Sequence, residues 1–179
     1  MKPYILGIAG YSGSGKTTLI EKMIPCLDEK NLKVMVIKHD VHGINIDSMG
    51  KDTYRFSSAG AERVMISSDI NGFVEISKKT KTLEEMLQDA SGVDIVIIEG
   101  YKKADIPKMV MLTEGIAGAE ELLADKNLRA VITNNIKYAS DMMVKYGLSE
   151  TRENKTPVFL RDDIHAITSF VINEYRYKG

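Results

Sequence analysis

The chain has 179 residues, 44% hydrophobic and 27% charged, with a formal net charge of −1 and one cysteine, Cys26. That length suits one domain with a real core, and the charge balance argues against a dedicated nucleic-acid binder, which carries a basic excess. One cysteine excludes an internal disulfide, and no apolar run is long enough to cross a membrane or has signal-peptide form, so a cytoplasmic protein is expected.

Tyr4–Ala9 is a short, mostly apolar run, the pattern of a buried parallel strand. Gly10-Tyr11-Ser12-Gly13-Ser14-Gly15-Lys16-Thr17 follows and fits G-x-x-x-x-G-K-[ST], a phosphate-binding loop. A helical pattern begins at Thr17, with Leu19, Ile20, Met23, Ile24 and Leu27 on one side. Glycines let the backbone bend tightly and approach an anion with no Cβ in the way. Inward N–H groups form a nest, and the helix N-terminus adds its dipole. In such a loop Lys16 reaches the β- and γ-phosphates and the Thr17 hydroxyl ligates Mg²⁺. The candidate nucleotide-binding set is therefore Gly10, Ser12, Gly13, Ser14, Gly15, Lys16, Thr17 and Thr18, with Thr18 also suited to local capping. The alternative, a plain Gly/Ser-rich turn, does not account for strand, loop, Lys-Thr and helix arriving in that order.

Lys33–Lys38 reads as a second buried strand, and a polar stretch follows to about Lys51. Asp52 to Ala59 suits a short helix. Arg63–Ile66 and Gly72–Ile76 suit two strands joined by a turn, a hairpin. Thr82 and Glu85 stand at capping-box spacing before a helix. Asp94–Glu99 and Lys108–Leu112 are further strands, Ala119–Ala124 a short helix, and Arg129–Thr133 and Pro157–Leu160 the late strands. Asp162 is the expected cap of a final helix. The alternation predicts a single three-layer α/β domain over residues 1–179, of P-loop NTPase type, with a mainly parallel twisted sheet between helices.

Ligands on such sheets sit at the carboxyl ends of strands. Glu99 ends an apolar strand there, the position for a Walker B carboxylate that holds Mg²⁺ or orients a water; its bland alternative is a solvated strand-end acid. Lys16 and Glu99 are the candidate catalytic pair. Asp40, at the end of the second strand, is a further Mg²⁺ candidate beside Thr17 and Glu99, and Lys38 a phosphate or ion-pair candidate. His39 and His42, with Asp47, form a weak transition-metal signal. Residues 50–55, Gly-Lys-Asp-Thr-Tyr-Arg, suit either a switch segment or a polar helix start. Asn134 suits a purine edge, though Asn-Asn is equally a turn signal.

With these motifs in place, the chain resembles the molybdopterin-guanine dinucleotide biosynthesis adapter family, protein B. The resemblance rests on Gly10–Thr18, on Lys38-His39-Asp40 with His42 and Asp47, and on residues 50–55 with Ala59-Gly60-Ala61. It also rests on Ile98-Glu99-Gly100-Tyr101-Lys102 with Pro107-Lys108. It implies a GTP-binding homodimer with weak GTPase activity. Its partner would be the molybdenum cofactor guanylyltransferase, which joins GMP to Mo-molybdopterin, and the molybdopterin cofactor itself is a second implied ligand. Carried over, Gly13, Gly15, Lys16 and Thr17 would bind nucleotide, and Asp40 and Glu99 would lie near Mg²⁺. Residues 50–55 would lie near the phosphates or the pterin-bearing partner. Met49 stands where the family often has proline, Met109-Val110-Met111 lacks the usual acid after Pro-Lys, and Asn134 replaces a common aspartate. Two other classes compete: a small-molecule kinase or dethiobiotin-synthetase-like ligase, and a GTPase metallochaperone using the His39/His42 loop. Arg55 and Arg63 are the main arginines before Glu99, few for a fast kinase, and the histidine loop has no cysteine.

Overall fold

The computed structural model describes residues 2–39, 51–70, 72–148 and 156–178. In chain order the elements are β1 (Tyr4–Ala9), α1 (Lys16–Asp28), β2 (Val34–Lys38), α2 (Asp52–Ser58), β3 (Arg63–Ser68), β4 (Gly72–Ser77) and α3 (Leu83–Gln88). They continue with β5 (Ile95–Glu99), β6 (Lys108–Leu112), a 3₁₀ turn (Ala119–Ala124), β7 (Leu128–Thr133), α4 (Ile136–Lys145), β8 (Val158–Leu160) and α5 (Ile164–Lys178). Backbone packing separates two units, Met1–His39 with Ala90–Gly179 and Asp40–Asp89.

The larger unit is built on a six-stranded sheet in the order β2-β5-β1-β6-β7-β8. Every pairing in it is parallel. Successive side chains on a strand point to opposite faces, and for β1, β5 and β6 both faces are covered, whereas β2, expected as a buried strand, is an edge strand in which only Ile37 is buried. Leu6, Ile8, Ile95, Ile97, Met109 and Met111 meet Leu19, Met23 and Leu27 of α1 and Ile167 and Val171 of α5. On the other face Ala9, Val110, Leu112 and Val131 meet Ala119 and Leu123 of the 3₁₀ turn and Ala139 and Met143 of α4. Two-sided burial is why the strands read as unbroken apolar runs rather than alternating ones. Asp94 stays at the opposite, amino end of β5, where it accepts from the Lys33 N–H at 2.8 Å and the Tyr175 hydroxyl at 3.2 Å.

Two further expectations are corrected. The Asn-Asn segment opens α4, a helix the sequence pattern did not predict, with the Asn135 side chain accepting from the Tyr138 N–H at 3.2 Å as its cap. The final helix is capped one residue later than expected, by Asp163, whose carboxylate accepts from the Ala166 N–H at 3.0 Å.

The smaller unit holds α2, the β3–β4 hairpin and α3. The hairpin is antiparallel, with Val64 opposite Ile76 and Ile66 opposite Val74, so these four share a face. Met65, Ile70 and Phe73 are exposed. The capping box at α3 forms as expected: the Glu85 N–H donates to Thr82 Oγ1 at 3.2 Å and the Thr82 N–H to Glu85 Oε2 at 2.8 Å.

Lys108, at the start of β6, is 1% exposed. Its ammonium donates to the carbonyls of Lys102 (2.9 Å) and Ala104 (2.8 Å) and to the Asp125 carboxylate. Three donors meet three acceptors, so the buried charge is satisfied. Burial pushes the Asp125 carboxyl up, but the bonds from Lys108 and the Asn127 N–H outweigh it and hold it below the usual value. A depressed carboxyl contributes stability above its unfolded pKa and loses it as pH falls through the folded one. Asp125→Ala leaves a buried ammonium without its counter-charge and is expected to cost about 3 kcal/mol in urea denaturation. A cost under about 1 kcal/mol would class the pair with ordinary surface ion pairs.

Candidate functional site

β1 ends at Ala9, and the loop that follows turns on glycine. Gly13 and Gly15 have φ of 77° and 92°, the left-handed region that disfavours a Cβ. At Gly10 the constraint is space: a Cβ there would lie 2.8 Å from Ser14 Oγ and 3.1 Å from Met111 Cβ. Ser14 is buried, and its Oγ has no hydrogen-bond partner among the described residues. Gly15 is the N-cap of α1 and has no side chain to cap with, so the first-turn N–H groups of the helix face the loop. Ser12, Thr17 and Thr18 are exposed at this rim.

The Lys16 ammonium folds back and donates to the Tyr11 carbonyl at 2.8 Å. Burial lowers its pKa most; nearby Glu99 opposes that, while Lys102 and Lys38 push the same way. Three ammonium groups and one carboxylate thus share a small region, an excess of positive charge suited to a polyanion.

Glu99 is brought to the loop by the sheet. β5 lies beside β1 with Glu99 opposite Ile8, and on its other side Lys38 of β2 is opposite Glu99. The Glu99 side chain is buried, and the Thr17 hydroxyl lies 3.0 and 3.1 Å from its two oxygens. A hydroxyl and a carboxylate converging beside a phosphate loop are the hard-oxygen donors Mg²⁺ takes, with substrate phosphates and water completing the shell; these residues fit that ion. Among the described residues no group of three or more His, Cys, Asp or Glu gathers for a metal.

The chain turns sharply after Glu99. Gly100 has φ 99° and Tyr101 φ 45°. The Tyr101 ring packs on His39 with centroids 4.4 Å apart, and the His39 N–H donates to the Glu99 carbonyl at 2.9 Å. Lys102, which belongs to the quoted Ile98–Lys102 motif but was given no role there, places its ammonium 3.5 Å from the centroid of the Tyr11 ring.

On the β8 side of the loop a cavity of about 260 Å³ is lined by Gly15, Thr18, Leu19, Lys22, Arg161 and Ile164, together with Asp162. Arg161 was also not anticipated; the available signal was its place just past the carboxyl end of the last strand. Asn134 is engaged in holding backbone: its Oδ1 accepts from the Glu114 N–H at 2.9 Å, while Asn135 Nδ2 donates to Glu114 Oε2 at 2.8 Å. Asp40, His42, Asp47 and Gly50 lie outside the described residues. Of the rest of that motif, Asp52–Arg55 form the start of α2, with an exposed Asp52–Arg55 ion pair at 3.4 Å.

Comparison with known proteins supplies the kinship. Residues 5–134 match the family described as "Molybdopterin guanine dinucleotide synthesis protein B". The chain is 41% identical over 110 residues to a molybdopterin-guanine dinucleotide biosynthesis adapter protein of Haemophilus influenzae, covering 60% of this chain and 62% of that protein. It is 34% identical over 138 residues to the adapter protein of Escherichia coli, covering 73% and 78% respectively. The crystal structure of Bacillus subtilis MobB superposes with a TM-score of 0.71 at 26% identity, over 96% of this chain and 97% of that one.

Gly100→Ala forces a side chain into left-handed backbone and brings its Cβ to 3.1 Å from both Cβ and the carbonyl oxygen of His39. It is expected to cost about 1–3 kcal/mol, read as a lowered denaturation midpoint. An unchanged midpoint would show that the turn after Glu99 is not held as described.

Proposed function

The chain belongs to the molybdopterin guanine dinucleotide synthesis protein B family, and we propose that it is a GTP-binding adapter with weak GTPase activity. It would assist a guanylyltransferase in attaching GMP to molybdopterin. The observation that carries the nucleotide half of this proposal is the meeting of Thr17 and Glu99. The hydroxyl from the first turn of α1 lies 3.0 and 3.1 Å from the carboxylate oxygens at the tip of β5, directly beside the Lys16 loop.

In this proposal the N–H groups of Gly13 to Lys16 cradle the β-phosphate, and Lys16 leaves the Tyr11 carbonyl to reach the β- and γ-phosphates. Thr17 and Glu99, with Asp40 as a further candidate, hold Mg²⁺, which when bound screens charge between the phosphates. Glu99 also serves as the acceptor that orients a water toward the terminal phosphate. The cavity between Thr18 and Arg161 takes the nucleoside. Arg55 and Arg63 both belong to the smaller unit. In the larger unit Lys16, Lys38 and Lys102 gather at Glu99 and Arg161 stands beside Gly15, a set that suits a slow hydrolase acting chiefly by binding.

The adapter half rests on kinship. The Haemophilus and Escherichia relatives are named as adapters of molybdopterin-guanine dinucleotide biosynthesis, and the kinase, ligase and metallochaperone alternatives draw no support from the family match. A homodimer is proposed with it, as the family resemblance implies.

Calorimetric titration with GTP and ATP, with and without Mg²⁺, tests the nucleotide site. Wild-type protein is expected to bind GTP in the presence of Mg²⁺. Lys16→Ala should lose measurable binding, and retained affinity would remove the loop from the site. Glu99→Gln is expected to lower turnover by about tenfold or more while changing affinity less; unchanged turnover would take Glu99 out of the reaction. Pull-down of the guanylyltransferase by the tagged chain tests the adapter role, and no association at micromolar concentrations would count against it.

A further inference from the structure

Resting on that nucleotide site, we propose that Lys102 is a second phosphate-binding cation, selective for the terminal phosphate of a nucleoside triphosphate. Tyr11 is the shelf on which it waits. The Tyr11 ring lies against Gly118, whose φ is 94°, and a Cβ at Gly118 would come within 2.9 Å of the ring. The Lys102 ammonium sits 3.5 Å from the ring centroid. A cation on an aromatic face is held by the ring quadrupole and keeps its charge and most of its donors available.

The backbone of the same tyrosine accepts from Lys16 at 2.8 Å. Two ammonium groups therefore converge on one residue of the phosphate loop, each near enough to the other for Lys102 to lower the Lys16 pKa. Such a pair of like charges is relieved by an anion between them. Lys16 is the residue that reaches the β- and γ-phosphates, so a cation approaching from Lys16's Tyr11 contact lies at the terminal end of the phosphate chain. The nucleoside cavity at Thr18 and Arg161 is lined from α1 and the start of α5, on the opposite face of the sheet from the 3₁₀ turn and α4 against which Tyr11 packs.

What puts Lys102 there is the buried ammonium of Lys108. It binds the carbonyls of Lys102 and Ala104 and is itself tied to Asp125. The turn through Gly100 and Tyr101, both at positive φ, leads from Glu99 to that anchor. Lys102 is thereby fixed three residues beyond Glu99, and the carboxylate and the second cation flank the same end of the substrate.

The test is calorimetry of wild type, Lys102→Ala and Lys102→Arg with guanosine and adenosine diphosphates and with their non-hydrolysable β,γ-imido triphosphates, all with Mg²⁺. Loss of a charge-assisted contact should weaken triphosphate binding by about ten- to a hundredfold in Lys102→Ala. Diphosphate binding should change by less than about twofold on the same scale, and Lys102→Arg should restore most of the triphosphate affinity. Equal weakening of di- and triphosphate, or no weakening of either, overturns the assignment of Lys102 while leaving the site intact. A wild-type protein that binds none of the four nucleotides overturns the nucleotide site itself, a distinct outcome from the first.

Discussion

The parallel register between β1 and β5 is the constraint on which the site depends. Ile8 lies opposite Glu99, so the last residue of β5 stands beside the penultimate residue of β1. The chain leaves β1 through glycine-rich backbone and enters α1 at once. The Thr17 hydroxyl then arrives at the Glu99 carboxylate, 82 residues away in sequence. A slip of one residue in a strand pairing exchanges its two faces. Here it would carry the carboxylate away from the loop and turn each β5 side chain, all of them buried, into the core on the opposite face, where the packing is shaped for its neighbour. The core that fixes register is thus the same physical object that aims the acid.

A second device works at right angles to the first. Burying a lysine is costly unless its charge is paired and its donors are used. Lys108 meets that condition with two backbone carbonyls and one carboxylate. The carbonyls belong to the segment after Glu99, so satisfying the buried charge also pins the turn that carries Tyr101 and Lys102. The Asn134–Asn135 pair does similar work on the far side of β1, tying the segment after β6 to the start of α4 through Glu114. Thr113, next to that segment, has its hydroxyl 3.5 Å from the Ser14 carbonyl. The phosphate loop is held by polar contacts on one flank and by sheet register on the other.

Most of the fold was legible in the chain because its signals are local. A strand buried on both faces is apolar along its run, and β1, β5 and β6 are, apart from the charged residues at one end of β5 and β6, Glu99 and Lys108. The capping box of Thr82 and Glu85 needs only four residues. The helix α4 was missed because its apolar face is narrow: only Ala139 and Met143 are buried within it, and its N-cap, Asn135, is also a good turn residue. The displaced cap at α5 has a similar cause. Asp162 and Asp163 are chemically equal candidates, and only the backbone path after Leu160 chooses between them.

By itself, the sequence determined the phosphate loop, the alternation that makes a parallel α/β sheet, the strand-end position of Glu99 and the family. Each of these is written in residue types at short spacing, where periodicity and glycine placement act directly. Tertiary structure alone decided that β5 lies between β1 and β2, with the Thr17 hydroxyl within 3.1 Å of both Glu99 oxygens. It also decided that Lys102 rests on Tyr11, that Lys108 is the buried anchor of that turn, and that Arg161 closes the cavity beside Thr18. Those contacts join residues tens of positions apart across strands whose order, β2-β5-β1-β6-β7-β8, is not their order in the chain. No local pattern encodes which strand ends become neighbours; the packing of the whole sheet does.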